Sequence, residues 1–412
     1  MRPFSRAVLV SVVALSAACT ASGGLPQVDA GSGSAGTGGG AGTGGQAGTS
    51  GGPGGQAGTS SSDASVADVA TVEVGRTDAA GDLREAGVDA AASDAKATPG
   101  NGSLSDDNVK HLGRWDVSNP SQHASYWGGA YLKVAFTGTT LRMKVGAANN
   151  YYVVLDDRAP LKIANANGEV NLTPTPLPAG NHLAIISAGK DYGYEFTFKG
   201  LVLDAGAVTM PPPVQPRFVE FIGDSITAGY TDTLADVSDY AWLVGEKLKL
   251  EHAQIAYPGI ALVDTYGLNT DKTGMERQYF KLKPLGYATN ADWPASAYTP
   301  ELIVINLGTN DRSTSVPTAK FQTSYTAFLA ALRTRYPAAE IFAMRCLNGA
   351  MAAQTQAAVT ARLTVGDTKV HFVDTTGWLT AADYTDGTHP SDGGQAKIAA
   401  RLEPVLTPYL PP

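Results

Sequence analysis

A serine, a histidine and an aspartate stand in two short stretches of this 412-residue chain, and they are the residue types of a hydrolase that works through an acyl-serine. The first stretch is Gly223-Asp224-Ser225-Ile226-Thr227. It follows directly on Phe218-Val219-Glu220-Phe221-Ile222, an apolar run that reads as a buried strand. The second is Asp386-Gly387-Thr388-His389-Pro390, in the loop before the last expected helix. A histidine base needs its second nitrogen held by an acceptor, which fixes tautomer and orientation. Asp386, three residues before His389, is placed to do this, and Asp383 and Asp392 are nearby rivals. Taken alone, Asp224 or Ser225 could simply cap a helix. His111, His123, His182, His252 and His371 lack such a context and read as ordinary surface or core residues.

Two further stretches bear on the same chemistry. Gly308-Thr309-Asn310-Asp311 ends the apolar run Glu301 to Leu307, and the Asn310 amide could donate a hydrogen bond to a tetrahedral oxyanion. Its alternative is a turn or a helix cap. Tyr257-Pro258-Gly259 ends another run, where Gly259 offers either a bare backbone N–H for the same oxyanion or a simple turn. Ser225 itself is expected at the start of a helix, whose free N–H groups and dipole favour negative charge.

The elements that must position these groups alternate. Strand 218–222 is followed by a helix near Asp239 to Leu250, an apolar stretch Ala253 to Tyr257, strand Glu301 to Leu307 and a helix near Thr318 to Tyr336. Strand Ile341 to Met344, helix Ala350 to Leu363, strand Val370 to Asp374 and helix Gly393 to Leu406 complete the series. Such alternation predicts a parallel sheet with helices on both faces, with active groups at the carboxyl ends of its strands. From about Ser105 to Thr209 the pattern is strand-like throughout. Tyr131 to Phe136 and Thr140 to Val145 alternate apolar and polar residues around a Gly-bearing turn and predict a hairpin. Short strands at Tyr151 to Leu155, Leu183 to Ile186 and Tyr194 to Leu203, without a helical stretch, predict a β-sandwich.

The expected organisation is a leader over 1–19, a Gly-, Ala-, Ser- and Asp-rich disordered tether over 20–103 and a sandwich over 104–210. A stiff Pro-rich linker over 211–216 and a catalytic domain over 217–412 follow. The leader has Arg2 and Arg6 before a short apolar run that ends at Ser16-Ala17-Ala18-Cys19. Small residues before a cysteine resemble a bacterial lipoprotein signal in which Cys19 is lipidated; the alternative is an ordinary cleaved leader. The other cysteine, Cys346, follows an apolar stretch and reads as a core residue, and two cysteines with no His cluster exclude a Cys/His metal site. The formal charge is −8 and no basic cluster suggests a nucleic-acid partner.

Gly223-Asp224-Ser225, Gly259, Gly308 with Asn310, and Asp386 with His389 resemble, in order, the four blocks of the SGNH, or GDSL-type, hydrolases over about 215–412. The resemblance implies a flavodoxin-like three-layer α/β sandwich, with Ser225 as nucleophile and His389 as base. It also implies an oxyanion hole from the Ser225 and Gly259 N–H groups and the Asn310 amide. Leu112-Gly113-Arg114-Trp115-Asp116, Tyr126-Trp127-Gly128-Gly129-Ala130 and Phe136-Thr137-Gly138-Thr139 are similar to the N-terminal jelly roll of carbohydrate esterase family two. Those enzymes remove acetyl groups from xylan and related polysaccharides. Some use a Ser–His dyad; the presence of Asp386 implies a triad. The expected protein is therefore an exported, lipid-anchored bacterial serine esterase for O-acetylated polysaccharide, a monomer that needs no metal or organic cofactor. Two alternatives stand beside it: an SGNH esterase for a lipid, a thioester or peptidoglycan O-acetyl groups, and a surface lipoprotein that binds glycan without hydrolysing it. Trp378 and Tyr384, close to the His389 loop, are candidates for substrate contact. Trp115 and Trp127 fit sugar stacking and core packing equally.

Overall fold

A computed structural model of the protein describes residues 98–156, 158–189 and 192–410. The leader, Cys19 and most of the tether expected before the sandwich lie outside the described residues.

The C-terminal half is built on a five-stranded parallel sheet of Phe218–Gly223, Glu251–Ala256, Leu302–Asn306, Glu340–Met344 and Val370–Val373. In space the second strand lies outside the first, followed by the third, fourth and fifth. The strands are apolar runs because both faces are covered. Ile303 and Ile305 pack with Phe321, Phe328 and Val359 under helices Thr318–Arg335 and Ala352–Thr364. Leu302 and Val304 pack on the other face with Tyr240, Val244, Ile398 and Leu402 from Tyr240–Lys247 and Asp392–Leu406. Asp239 and Ser391 start those last two helices by accepting hydrogen bonds from the Trp242 and Gly394 N–H groups. Strand order reverses between the first and third strands, which opens a crevice at their carboxyl ends.

Two antiparallel sheets precede this domain. One contains Lys110–Leu112, Tyr131–Gly138, Gly180–Ala188, Asn149–Leu155 and Leu161–Ala166, with Thr209–Met210 on its second strand. The other contains Trp115–Asp116, His123–Ser125, Phe196–Leu203, Leu141–Val145 and Glu169–Asn171. The expected hairpin of 131–136 with 140–145 is not formed. Tyr131–Gly138 pairs with Gly180–Ala188 and Leu141–Val145 pairs with Phe196–Leu203, in opposite sheets. The linking residues turn a corner of the sandwich, where Asp204 accepts the N–H groups of Thr139 and Thr140 and the Thr139 hydroxyl. Val134 and Phe136 from one sheet then meet Leu141 and Met143 from the other in a single core.

The sandwich is built into the C-terminal half rather than hung from it. Trp127 is buried among Ile222, Ile255 and Leu262 of the α/β core. Arg114 is fully buried and pairs with the equally buried Glu220 of the first parallel strand at 3.2 Å. The guanidinium also donates to the carbonyls of Tyr279 and Lys281, and the hydroxyls of Tyr279 and Tyr298 donate to Glu220. An ion pair this deep is stable only with its remaining donors and acceptors satisfied, and here they are. Trp115 is also buried, so both sandwich tryptophans are core residues and do not offer a face to sugar.

Candidate active site

Ser225 lies just past the end of the first parallel strand, but no helix begins there. Residues 224–230 form a turn, closed by hydrogen bonds from the Ala228 N–H to the Asp224 carbonyl and from the Tyr230 N–H to the Ser225 carbonyl. Gly229 and Thr231 have φ of +62° and +77°, left-handed values that stop a right-handed helix, and the next helix starts only at Tyr240. The expected helix dipole behind Ser225 is therefore replaced by individual N–H groups.

His389 reaches Ser225 from the far end of the chain. Its Nε2 lies 2.9 Å from the Ser225 Oγ and its Nδ1 lies 2.7 Å from the Asp386 Oδ2. Partial burial works against the charge of Asp386. Hydrogen bonds from the N–H groups of His389 and Thr388 and from the imidazole nevertheless hold its carboxyl down at about 2. An ionised Asp386 only accepts, so Nδ1 carries the imidazole proton and Nε2 faces the serine as an acceptor. The rival carboxylates are engaged elsewhere. Asp383 accepts from Thr380 and pairs with Lys397, and Asp392 accepts the Thr233 N–H. The remaining histidines have other partners: His111 with His123, His182 with Asp156, His252 near Glu246, and His371 with Glu340.

Three loops at the carboxyl ends of the first three strands converge on the serine. Gly259 has φ +78°, and Gly308 has φ +133° with Cys346 Sγ only 3.1 Å from where a Cβ would sit. Both positions require glycine. Cys346 is buried behind this loop, as expected of a core residue, and burial pushes its thiol well up. Among the described residues the N–H groups of Ser225 and Gly259 carry no hydrogen bond. Asn310 follows Gly308 in a short helix, Thr309–Ser313, and its Nδ2 donates to the Ile260 carbonyl at 2.9 Å and faces Asp224 Oδ2 at 3.4 Å. Among the described residues no group of three or more His, Cys, Asp or Glu side chains is placed to hold a metal ion.

Several site residues carried no signal in the sequence. Gln395, on the helix after His389, donates to the Ile226 carbonyl and accepts the Tyr240 N–H, which staples the histidine side of the site to the serine turn. The Tyr230 ring packs edge-on to His389 at 4.9 Å, Tyr192 of the sandwich lies 5.6 Å from Tyr230 and 5.9 Å from Tyr257. Trp378 instead packs against the cluster that holds Ile398 and Leu402, and Tyr384 bridges to Pro390 across the His389 loop.

Residues 221–397 match the model of the GDSL-like lipase/acylhydrolase family, and residues 111–213 match the carbohydrate esterase 2 N-terminal model. It is 29% identical over 320 residues to a cellulase/esterase, CelE, of Acetivibrio thermocellus, covering 71% of this chain and 38% of that protein's length. It is 25% identical over 327 residues to an acetylxylan esterase / glucomannan deacetylase of Cellvibrio japonicus, covering 73% of this chain and 89% of that one. A family two carbohydrate esterase from Clostridium thermocellum, solved with cellohexaose, superposes with a TM-score of 0.65 at 26% identity, over 73% of this chain and 100% of that one. The α/β domain and the all-β domain before it thus share their architecture with that solved esterase.

The same domain buries several acids. Loss of solvent is the main cause that pushes the carboxyls of Asp224, Asp236 and Asp311 up to about 7, 6 and 6, and that of Asp232 up to about 8. A carboxyl whose pKa is raised by folding favours the folded state below its unfolded value of about 3.9 and loses that contribution as pH rises through the folded value. Asp386 acts in the opposite sense, since its contribution is present above about 3.9 and lost toward its folded value. Thermal unfolding followed by circular dichroism is therefore expected to give the highest Tm near pH 4, with a fall as pH rises to about 8, where the last of these acids ionises. A Tm that is level from pH 5 to 9 would contradict the burial of these acids.

Proposed function

We propose that the protein is a serine esterase that removes O-acetyl groups from polysaccharide, such as acetylated xylan or glucomannan. The observation that carries this reading is the unbroken chain of hydrogen-bond distances from Ser225 through His389 to Asp386, in a protein whose front domain is of the carbohydrate esterase 2 type. In this reading His389 takes the Ser225 proton as the serine oxygen attacks the acetyl carbonyl. The N–H groups of Ser225 and Gly259 and the Asn310 amide receive the oxyanion, and the sugar hydroxyl leaves with the proton held by His389. Water then attacks the acetyl-serine with the same base and releases acetate. Tyr230, Tyr192 and Tyr257 supply aromatic faces at the rim of the crevice, which suits a sugar ring lying across it. Domains 104–210 and 217–412 together form the substrate cleft, and the protein acts outside the cytoplasm as a monomer, anchored through Cys19.

Acetate release tests the reading. Acetylated xylan and glucomannan are expected to lose acetate at rates well above those for O-acetylated bacterial wall, and activity on aryl esters is expected to drop sharply beyond acetyl. A preference for longer acyl chains, or for the wall polymer, would move the assignment to another ester on the same catalytic groups.

A further inference from the structure

We propose that Asp224 is a positioning residue of the oxyanion hole, its carboxyl coupling the turn that bears Ser225 to the amide of Asn310. The three donors proposed for the oxyanion sit on three separate loops, so something must hold the loops in register. Asp224 is 1% exposed. Its Oδ1 accepts the Ile226 N–H at 3.1 Å, which fixes the turn one residue beyond the nucleophile. Its Oδ2 faces the Asn310 amide at 3.4 Å, and the same amide donates to the carbonyl of Ile260, the residue after Gly259. The amide is thus bracketed by two acceptors, which fixes its nitrogen, rather than its oxygen, on this side. Its bond to Ile260 is short and its approach to Asp224 is long. The N–H on the Asp224 side is therefore the one free to lean toward an oxyanion, and Asp224 sets where that N–H starts. Among the described residues no cation pairs with this carboxyl; Asp311, Cys346 and Tyr240 are its titratable neighbours. Helix capping does not explain it, because no helix begins at this turn.

The inference rests on Asn310 as an oxyanion donor, and the two can be separated. Asp224→Ser keeps a side-chain acceptor for the Ile226 N–H but cannot reach Asn310. With an aryl acetate as probe, Asp224→Ser is expected to lower kcat by roughly 10- to 100-fold, the loss typical of a reacting group displaced by about 1 Å, with KM within about twofold. Asn310→Ala is expected to lower kcat by roughly 10²–10³. Adding Asp224→Ser to Asn310→Ala should cost less than about threefold more, because the two act as a unit. Losses that multiply, or a fall in Tm with kcat intact, overturn the inference while leaving the Asn310 assignment standing. An unchanged kcat in Asn310→Ala overturns both. Should Asp224→Ser fail to fold, Asp224→Asn, which has the carboxyl's shape, carries the same double-variant comparison.

Discussion

Ser225→Ala is expected to lower kcat on an acetyl ester by about 10⁵–10⁶ while leaving KM and Tm close to those of the parent. The side chain is small and 5% exposed, and the main contact it loses is the 2.9 Å approach to His389, so the fold has little to lose. What disappears is the covalent route. Without an oxygen at this position the acetyl group can be transferred only to water, and the remaining donors supply just the residual rate that binding and an oxyanion hole give alone. Steady-state hydrolysis and labelling by a fluorophosphonate measure the two sides of this expectation. Retained turnover, or labelling of Ser225→Ala at the parent rate, would remove Ser225 from the mechanism.

Asp386→Asn is the second large effect, expected to reach about 10⁴ in kcat. The substitution keeps an oxygen for the N–H groups of Thr388 and His389, so the loop stays in place. It replaces the acceptor at 2.7 Å from Nδ1 with a group that can donate, which favours the tautomer whose proton sits on Nε2 and blocks the serine. Loss of the negative charge also removes the stabilisation of the imidazolium formed during attack. The Asp386 side chain is 46% exposed, so the effect travels through the tautomer more than through a charge screened by solvent. A loss of only a few-fold would mean that Ser225 and His389 work as a dyad.

The candidate catalytic groups were legible because their chemistry restricts residue type and because Ser225, Gly259 and Asn310 each follow an apolar run that reads as a strand. The alternation of 218–406 gave the parallel sheet for the same reason: runs buried on both faces cannot be amphipathic. The corner at 138–140 was not legible. A Gly–Thr–Thr link serves a hairpin and a crossing between two sheets equally well, and inward-facing residues alternate identically in either case. The break after Ser225 depends on left-handed backbone at Thr231, a residue type that does not advertise it. Gln395, Tyr230 and Tyr192 are common residues whose roles arise only from distant partners. Arg114 and Glu220 lie 106 positions apart, and neither carries a local sign of the other.

That last pair, with Trp127, bears on how such a protein can change over generations. The sandwich contributes an indole to the hydrophobic core of the α/β half and a counter-charge to the strand that leads to Ser225. Were the front domain lost or exchanged for an unrelated module, that strand would keep a buried, unpaired carboxylate, a change that typically costs about 3–5 kcal/mol. The heritable unit is therefore the two domains together. Arg114 and Glu220 can drift only as a pair, and a recombination boundary placed at the Pro-rich linker would separate residues that depend on one another.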